Sequence, residues 1–261
     1  MTERNRKTAI SWVEPDGILI RGYRVEELIG GTSWGEAVYL LLRGELPDPH
    51  TLRLFEAVLV SVMEHGVSPP STMVAVTVAS TGASLGSAIA AGMLAINRYH
   101  GGAIEECMTV LEDCIQLHQS RGMDAVEAAH QVVAELRERG QRVPGFGHRF
   151  HHQDPRTMRL FELAREVGLA GTYVQQAEAL GEAISTRVGQ RLPINADGAI
   201  AALLCEMGFP RPMANGLFAI ARVAGLVAHA CEEQQRNKPM LTVDAQDYEY
   251  DGPAERPLKK G

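Results

Sequence analysis

The stretch Pro144-Gly145-Phe146-Gly147-His148-Arg149, continued by Phe150-His151-His152-Gln153-Asp154-Pro155-Arg156, decides how the rest of the chain is read. Two glycines flank one aromatic residue, so the backbone can approach a ligand more closely than a Cβ would allow. Pro144 fixes the entry. Asp154-Pro155 has the form of a helix start, with Asp as N-cap and Pro at the first helical position. Leu160, Leu163, Ala164 and Val167 then repeat at helical spacing and share one face. His148 and Arg149 therefore fall on a turn, and Arg156 in the first turn of a helix. A cation there opposes the helix dipole, and an anionic ligand is one reason for its presence. A solvated loop with three surface histidines is the competing reading.

Outward from that stretch, nearly every segment carries helical periodicity. Ser33-x-x-Glu36 and Asp124-x-x-Glu127 are capping boxes. The first predicts a helix with Val38, Leu41 and Leu42 inside, the second one with Val126, Ala129, Val133 and Leu136 inward. Other helices are expected over 49–64, 173–188, 199–207 and 213–234, the last with Leu217, Ile220, Ala221, Ala224, Val227, Ala228 and Cys231 as its stripe. The segment from Gly66 to Asn97 holds no Asp, Glu, Lys or Arg. Its prolines, glycines and hydroxyl residues interrupt it too often for a membrane span, and two buried helices broken near Thr81-Gly82-Ala83 are expected instead. Only residues 8–20 alternate, around Pro15-Asp16-Gly17, as a short hairpin that Arg21-Gly22-Tyr23 ends. The class is all-α with a short N-terminal β-hairpin.

Composition narrows the functions. The chain has 261 residues, 45% hydrophobic and 5% aromatic, with a net charge of -7. A core of closely packed helices is within reach, and no long basic patch suggests nucleic acid. Cys107, Cys114, Cys205 and Cys231 form no CxxC pair, so neither a zinc site nor a disulfide framework is indicated. His148, His151 and His152 match no firm metal-ligand spacing. Met1 to Lys7 is polar, unlike the apolar core of a signal peptide, and a reduced, cytoplasmic protein is expected.

Two charges sit where charge is costly. Arg222 is the only charged residue between Pro212 and Glu232, inside a helix that is apolar nearly all round. A buried guanidinium needs an anion, supplied either by an internal salt bridge or by a ligand carboxylate held in a two-pronged grip. Asp197 is the only charge between Arg191 and Glu206. It is either the N-cap of the following helix or an acid/base carboxylate whose pKa an apolar pocket raises.

Taken together, these stretches resemble the citrate synthase family. Pro144 to Arg149 with Asp154-Pro155-Arg156 looks like its signature, and His100-Gly101-Gly102-Ala103-Ile104-Glu105 like its first catalytic-histidine segment. Asn195-Ala196-Asp197 is similar to its catalytic-aspartate segment, Phe218 to Arg222 to a late arginine motif, and Arg21-Gly22-Tyr23 with Glu26-Glu27-Leu28 to its entry region. Five motifs in order, over roughly 18–239, make the resemblance specific.

The resemblance implies a mostly helical homodimer or higher homo-oligomer, and the charge and hydropathy pattern points to no nucleic-acid or membrane partner. Each subunit would have a large domain (1–104 and 213–261) and a smaller one (105–212), closing over an acyl-coenzyme A and oxaloacetate. It implies His100, His148 and Asp197 as catalytic residues. His65, Arg156, Arg222, Phe218 and Lys238 would bind substrate, with a basic residue of the neighbouring subunit among the carboxylate holders. Val143, Pro144, Gly145, Phe146, Gly147 and Arg149 would line the coenzyme A site. Coenzyme A would enter as part of the substrate, with no tightly bound cofactor and no metal. The chain departs from the family in its short amino-terminal half, in Lys238-Pro239 where an Arg-Pro motif is usual, in Glu64-His65-Gly66, and in a loop one residue short between His148 and Arg156. The short form resembles the citryl-CoA lyases and the carboxy-terminal module of ATP-citrate lyase. It implies cleavage of (3S)-citryl-CoA to acetyl-CoA and oxaloacetate. His100 is kept as in the synthases, so citrate or 2-methylcitrate synthesis is the alternative, and a non-catalytic acyl-CoA-binding homologue the second.

Overall fold

The computed structural model describes residues 7–147, 153–242, 247, 249, 251 and 252. It opens with three short antiparallel strands, β1 (Ser11–Glu14), β2 (Gly17–Ile20) and β3 (Tyr23–Arg24), in the order β1-β2-β3. Trp12 pairs with Leu19 and Ile20 with Tyr23. The expected hairpin thus gains a third strand. Arg21 and Gly22, both at positive φ (50° and 89°), turn the chain back instead of ending the sheet. Arg21 also holds the sheet to the helices, because its Nε and Nη2 donate to the Leu41 carbonyl at 3.1 and 2.7 Å.

Eleven α-helices follow among the described residues: α1 (Val25–Leu28), α2 (Trp34–Arg43), α3 (Pro49–Val62), α4 (Pro70–Ser80), α5 (Leu85–Leu94), α6 (Ala103–Arg121), α7 (Ala125–Glu138), α8 (Pro155–Glu166), α9 (Thr172–Val188), α10 (Ala196–Glu206) and α11 (Ala214–Arg236). The all-α class with its small N-terminal sheet is borne out. The caps formed where local chemistry dictates them. Ser33 Oγ accepts from the Glu36 N–H and Glu36 reaches back to the Ser33 N–H, and Asp124 and Glu127 repeat the arrangement. Asp154 caps α8 with Pro155 behind it, and Leu160, Leu163, Ala164 and Val167 are all buried.

One continuous core runs from Val38 to Ala221. At its α2–α3 end Tyr39, Phe55 and Phe209 form a ring trio, with centroids 5.3 to 5.6 Å apart. Cys107, Val110, Leu111 and Cys114 share the buried face of α6, and the four cysteines are free thiols. Helices α3, α4 and α5 pack on α11, while α6, α7, α9 and α10 pack on one another. At Gly92 the α4–α5–α11 crossing is so close that a Cβ would lie 2.8 Å from the Ser71 carbonyl oxygen.

Several faces differ from expectation. Leu41 and Val126 are exposed, since Tyr39 and Leu40 on α2 and Ala128 and Val132 on α7 take the buried positions. The charge-free helices α4 and α5 leave Met73, Val74 and Leu94 at the surface rather than buried. Helix α11 is rotated from the expected stripe: Ala224 and Ala228 face outward, while Leu217, Phe218, Ala221, Arg222, Gly225 and Leu226 are buried. An almost uniformly apolar helix gives little directional signal. Here a glycine and a buried arginine set its orientation. Helix α10 starts three residues earlier than expected, because Asn195, not Asp197, is its N-cap.

Candidate active site

The site is built where the starts of α8 and α10 meet the end of α3, the start of α4, the turn before α6 and the middle of α11. The Pro144–Gly147 turn lies flat on the start of α10. Asn195 N–H donates to the Gly145 carbonyl at 3.1 Å, Gly147 N–H to the Pro193 carbonyl at 2.7 Å, and the Asn195 amide to the Gly147 carbonyl at 2.9 Å. Gly145 has φ +83°, and a Cβ on it would sit 2.7 Å from the Gly198 Cα and 2.9 Å from the Cys107 sulfur. A Cβ on Gly198 would in turn come within 2.3 Å of the Gly145 carbonyl oxygen. Two glycines 53 positions apart therefore interlock, and Asp197 stands beside the contact.

Asp154 stitches the two helix starts. One carboxylate oxygen caps α8 and accepts from Arg156 Nε at 3.0 Å. The other accepts from Arg156 Nη2 at 2.8 Å and from the Ala196 N–H at 3.1 Å. Burial raises the Asp154 pKa, but these bonds and the Arg156 charge outweigh it and hold the carboxyl below its usual range. Thus Arg156, whose position against the helix dipole suggested an anionic ligand, already has a protein carboxylate beside it.

The cavity they border has a volume of about 630 Å³, within the range of small-molecule sites. His65, His100, Phe146, Gly147, Arg156, Asp197, Phe218 and Arg222 all line it. Residues separated by more than 150 positions are thus brought together around one cavity. Val143, Pro144 and Gly145 support its wall through the turn, while His148 and Arg149 lie outside the described residues. Lys238 does not reach this cleft within the chain. It borders a separate cavity with Ser80, Glu233 and Asn237 at the end of α11.

Three groups carry the electrostatics. Arg222 is 2% exposed, its Nε donates to the Val62 carbonyl at 2.9 Å, and its guanidinium lies 5.0 Å over the Phe218 ring. Among the described residues it makes no ion pair, and its buried Nη1 has no hydrogen-bond partner there. No internal salt bridge among the described residues accounts for it. Burial and the Arg156 charge push its pKa down against the pull of Glu64 and Asp197. An orphaned buried donor costs about 1–3 kcal/mol, more when charged, and a ligand anion relieves that cost. Asp197 has its pKa raised by burial, which outweighs Arg156 and Arg222. His100 has its pKa lowered by burial and by Arg222, which keeps the imidazole neutral.

His100 is held by Ser71, which the sequence does not single out, and by Phe218. Its Nε2 lies 2.8 Å from Ser71 Oγ, and its ring meets the Phe218 edge at 5.7 Å and 84°. The turn below it is closed by Asn97, whose carbonyl accepts from the His100 and Gly102 N–H groups. Gly101 at φ +86° and Gly102, whose Cβ would strike the Arg98 backbone at 2.6 Å, leave no room for a side chain. Asn195 of the Asn195-Ala196-Asp197 motif lines the cavity too, and Ser68, Tyr99 and Arg142 do so unannounced. Tyr99 and Arg142 carried no signal because exposed tyrosines and arginines are common. No group of three or more His, Cys, Asp or Glu positioned for a metal occurs among the described residues.

A family model for the C-terminal domain of citrate synthase matches residues 47–243. The chain belongs to the citrate synthase family. It is 31% identical over 202 residues to a citrate synthase of Haloferax volcanii, covering 76% of this chain and 51% of that one. A "putative citrate synthase 2" of Mycobacterium tuberculosis is 30% identical over 198 residues, 74% of this chain and 50% of the other. The chain thus spans about half the length of these curated citrate synthase relatives. The solved citryl-CoA lyase of Hydrogenobacter thermophilus differs in this respect: it is 41% identical, superposes with a TM-score of 0.89, and the match covers 98% of both chains. The ATP citrate lyase of Methanothrix soehngenii, at 23% identity and TM-score 0.80, shares the fold over 43% of its length.

Proposed function

We propose that this citrate synthase family member is a citryl-CoA lyase, cleaving (3S)-citryl-CoA to acetyl-CoA and oxaloacetate. The observation that carries the reading is the cavity's composition. A buried guanidinium with an unpartnered donor, a neutral imidazole and a carboxyl of raised pKa converge in one space. The end-to-end match to a citryl-CoA lyase supports the cleavage direction.

In this reading His148 accepts the proton of the tertiary hydroxyl. The carbon–carbon bond breaks as that oxygen becomes the keto group of oxaloacetate, and the bonding pair passes into the thioester as an enolate. His100 donates to the enolate oxygen. Ser71 hydroxyl donating to Nε2 would leave the proton on Nδ1, the tautomer in which Nδ1 is the donor. Asp197, whose burial favours the proton-bearing form, gives its proton to the enolate carbon and completes acetyl-CoA. Arg222, Arg156 and His65 hold the carboxylates, and the Pro144–Gly147 turn lies along the coenzyme. Coenzyme A enters as part of the substrate.

A homodimer belongs to the same proposal. The charge-free pair α4–α5 buries only Ala88 and Gly92 on α5 and exposes Met73, Val74 and Leu94, a surface suited to a second copy. The division into 1–104 with 213–261 and 105–212 is proposed as the pair of domains that closes on substrate.

The test is incubation of the purified protein with (3S)-citryl-CoA and separation of the products. Acetyl-CoA and oxaloacetate support the lyase. Citrate and free coenzyme A, with condensation of acetyl-CoA and oxaloacetate, favour the synthase alternative that the Haloferax likeness keeps open. Binding of acyl-CoA without reaction would leave a binding homologue.

A further inference from the structure

One stripe of α11 faces the cavity and then continues past it. Phe218 and Arg222 border the cavity, and Gly225 and His229 come next on the same face, three and seven positions beyond Arg222. All but the first touch the short segment that leaves α3. Arg222 Nε donates to the Val62 carbonyl at 2.9 Å. Gly225 is bare against the next turn: a Cβ there would lie 2.5 Å from the Met63 carbonyl oxygen and 2.5 Å from Glu64 Oε2. His229 Nε2 sits 3.0 Å from Glu64 Oε1. The following residue is His65, which lines the cavity.

Glu64 is the knot of this seam. Besides His229 it accepts from the Gly66 N–H and from the His65 N–H. Burial raises its pKa, but these hydrogen bonds prevail and keep it ionised. A carboxylate only accepts, so His229 Nε2 must be the donor. Glu64 is also the leading charge that favours the protonated guanidinium of Arg222. Its carboxylate is engaged by His229 and by the backbone N–H groups of the two residues that follow it, so it supports Arg222 without an ion pair to it among the described residues.

We propose that Glu64 and His229 are positioning residues for the four-carbon end of the cavity, closing a seam that sets where His65 and the Nη1 edge of Arg222 stand. This rests on the reading of the cavity as a site for a carboxylate-bearing four-carbon unit. Neither residue borders the cavity, so each acts through another side chain.

The experiment compares His229→Ala and His229→Gln with wild type, as the full chain, by oxaloacetate titration and by imidazole proton–nitrogen NMR. The His65 resonance is assigned by its loss in His65→Asn. Removing one charge-assisted hydrogen bond predicts an oxaloacetate affinity roughly tenfold weaker in His229→Ala, with coenzyme A affinity retained. Gln keeps an N–H donor and should restore both oxaloacetate affinity and the His65 resonance that His229→Ala displaces. An unmoved His65 resonance with wild-type oxaloacetate affinity in His229→Ala would overturn the proposal. So would equal loss in both variants, because packing rather than donation would then be at work. If wild type itself binds no oxaloacetate, the functional reading fails alone, and the His65 resonance in the two variants still decides the seam.

Discussion

Arg222 gives its Nε to the Val62 carbonyl at 2.9 Å and leaves Nη1 buried without a partner among the described residues. The backbone thus fixes the guanidinium plane, while its charge stays uncompensated by any ion pair among the described residues. Arg222→Leu removes a buried, unpaired charge, a change that is often neutral or stabilising. Oxaloacetate affinity should fall by roughly 10²-fold, the loss of a charge-assisted pair, with the melting temperature nearly unchanged. A large drop in melting temperature with intact affinity would make Arg222 a structural residue instead.

Asp197→Asn tests the acid. Turnover should drop by roughly 10³-fold, the usual weight of a positioned general acid, with coenzyme A affinity intact. The sign with pH follows from the raised pKa. The acid form is complete at low pH and is lost as pH rises through the folded-state pKa, so cleavage should decline over that rise. The same shift links to stability. The folded state holds this proton more tightly than the unfolded chain, so its contribution is present below the unfolded pKa and lost as pH climbs through the folded one. Urea melts across that window should be flatter in Asp197→Asn than in wild type.

Asp154 has the opposite sign. Its pKa is lowered in the folded protein, so its contribution is present above the unfolded pKa and lost as pH falls through the folded one. Asp154→Asn should cost about 2–3 kcal/mol near neutrality, below the figure for a fully buried pair because Arg156 retains 23% exposure. It should also blunt the acid transition in chemical denaturation. An unchanged acid limb would mean that another carboxylate controls it.

Gly145 and Gly147 separate strain from collision. Both lie at positive φ, 83° and 86°, but only Gly145 has atoms where a Cβ would go. Gly147→Ala should cost about 1–2 kcal/mol for its conformation alone. Gly145→Ala adds the clash with Gly198 and Cys107, on the order of 1–3 kcal/mol more. It should also weaken coenzyme A binding by shifting the turn. Equal melting temperatures for the two variants would refute the interlock.

The parts of this molecule legible in the sequence were those decided by local chemistry or by an obvious cost. Ser33, Asp124 and Asp154 announced their helix starts because capping requires a side chain within three residues. Arg222 and Asp197 stood out because isolated charges in apolar runs must be explained. Long-range pairings left no such trace. Ser71 is an ordinary serine at a helix start, and its partner His100 lies 29 positions on. Glu64 and His229 are 165 positions apart, and only folding shows that Gly225 lets their segments meet. For Asp197 the sequence allows an N-cap or an acid. Asn195, two residues earlier, took the cap and left the carboxyl to the cavity. Asp154's hold on Arg156 is local, yet capping alone already accounted for the aspartate, which hid its second role.

The most direct measurement is cleavage of (3S)-citryl-CoA in deuterium oxide, with mass analysis of the thioester product. Protonation of an enolate by an exchanged Asp197 carboxyl predicts acetyl-CoA carrying one deuterium on its methyl carbon, one oxaloacetate for each, and loss of both products in Asp197→Asn. Citrate and free coenzyme A as the only products, or acetyl-CoA formed at the wild-type rate by Asp197→Asn, would contradict it.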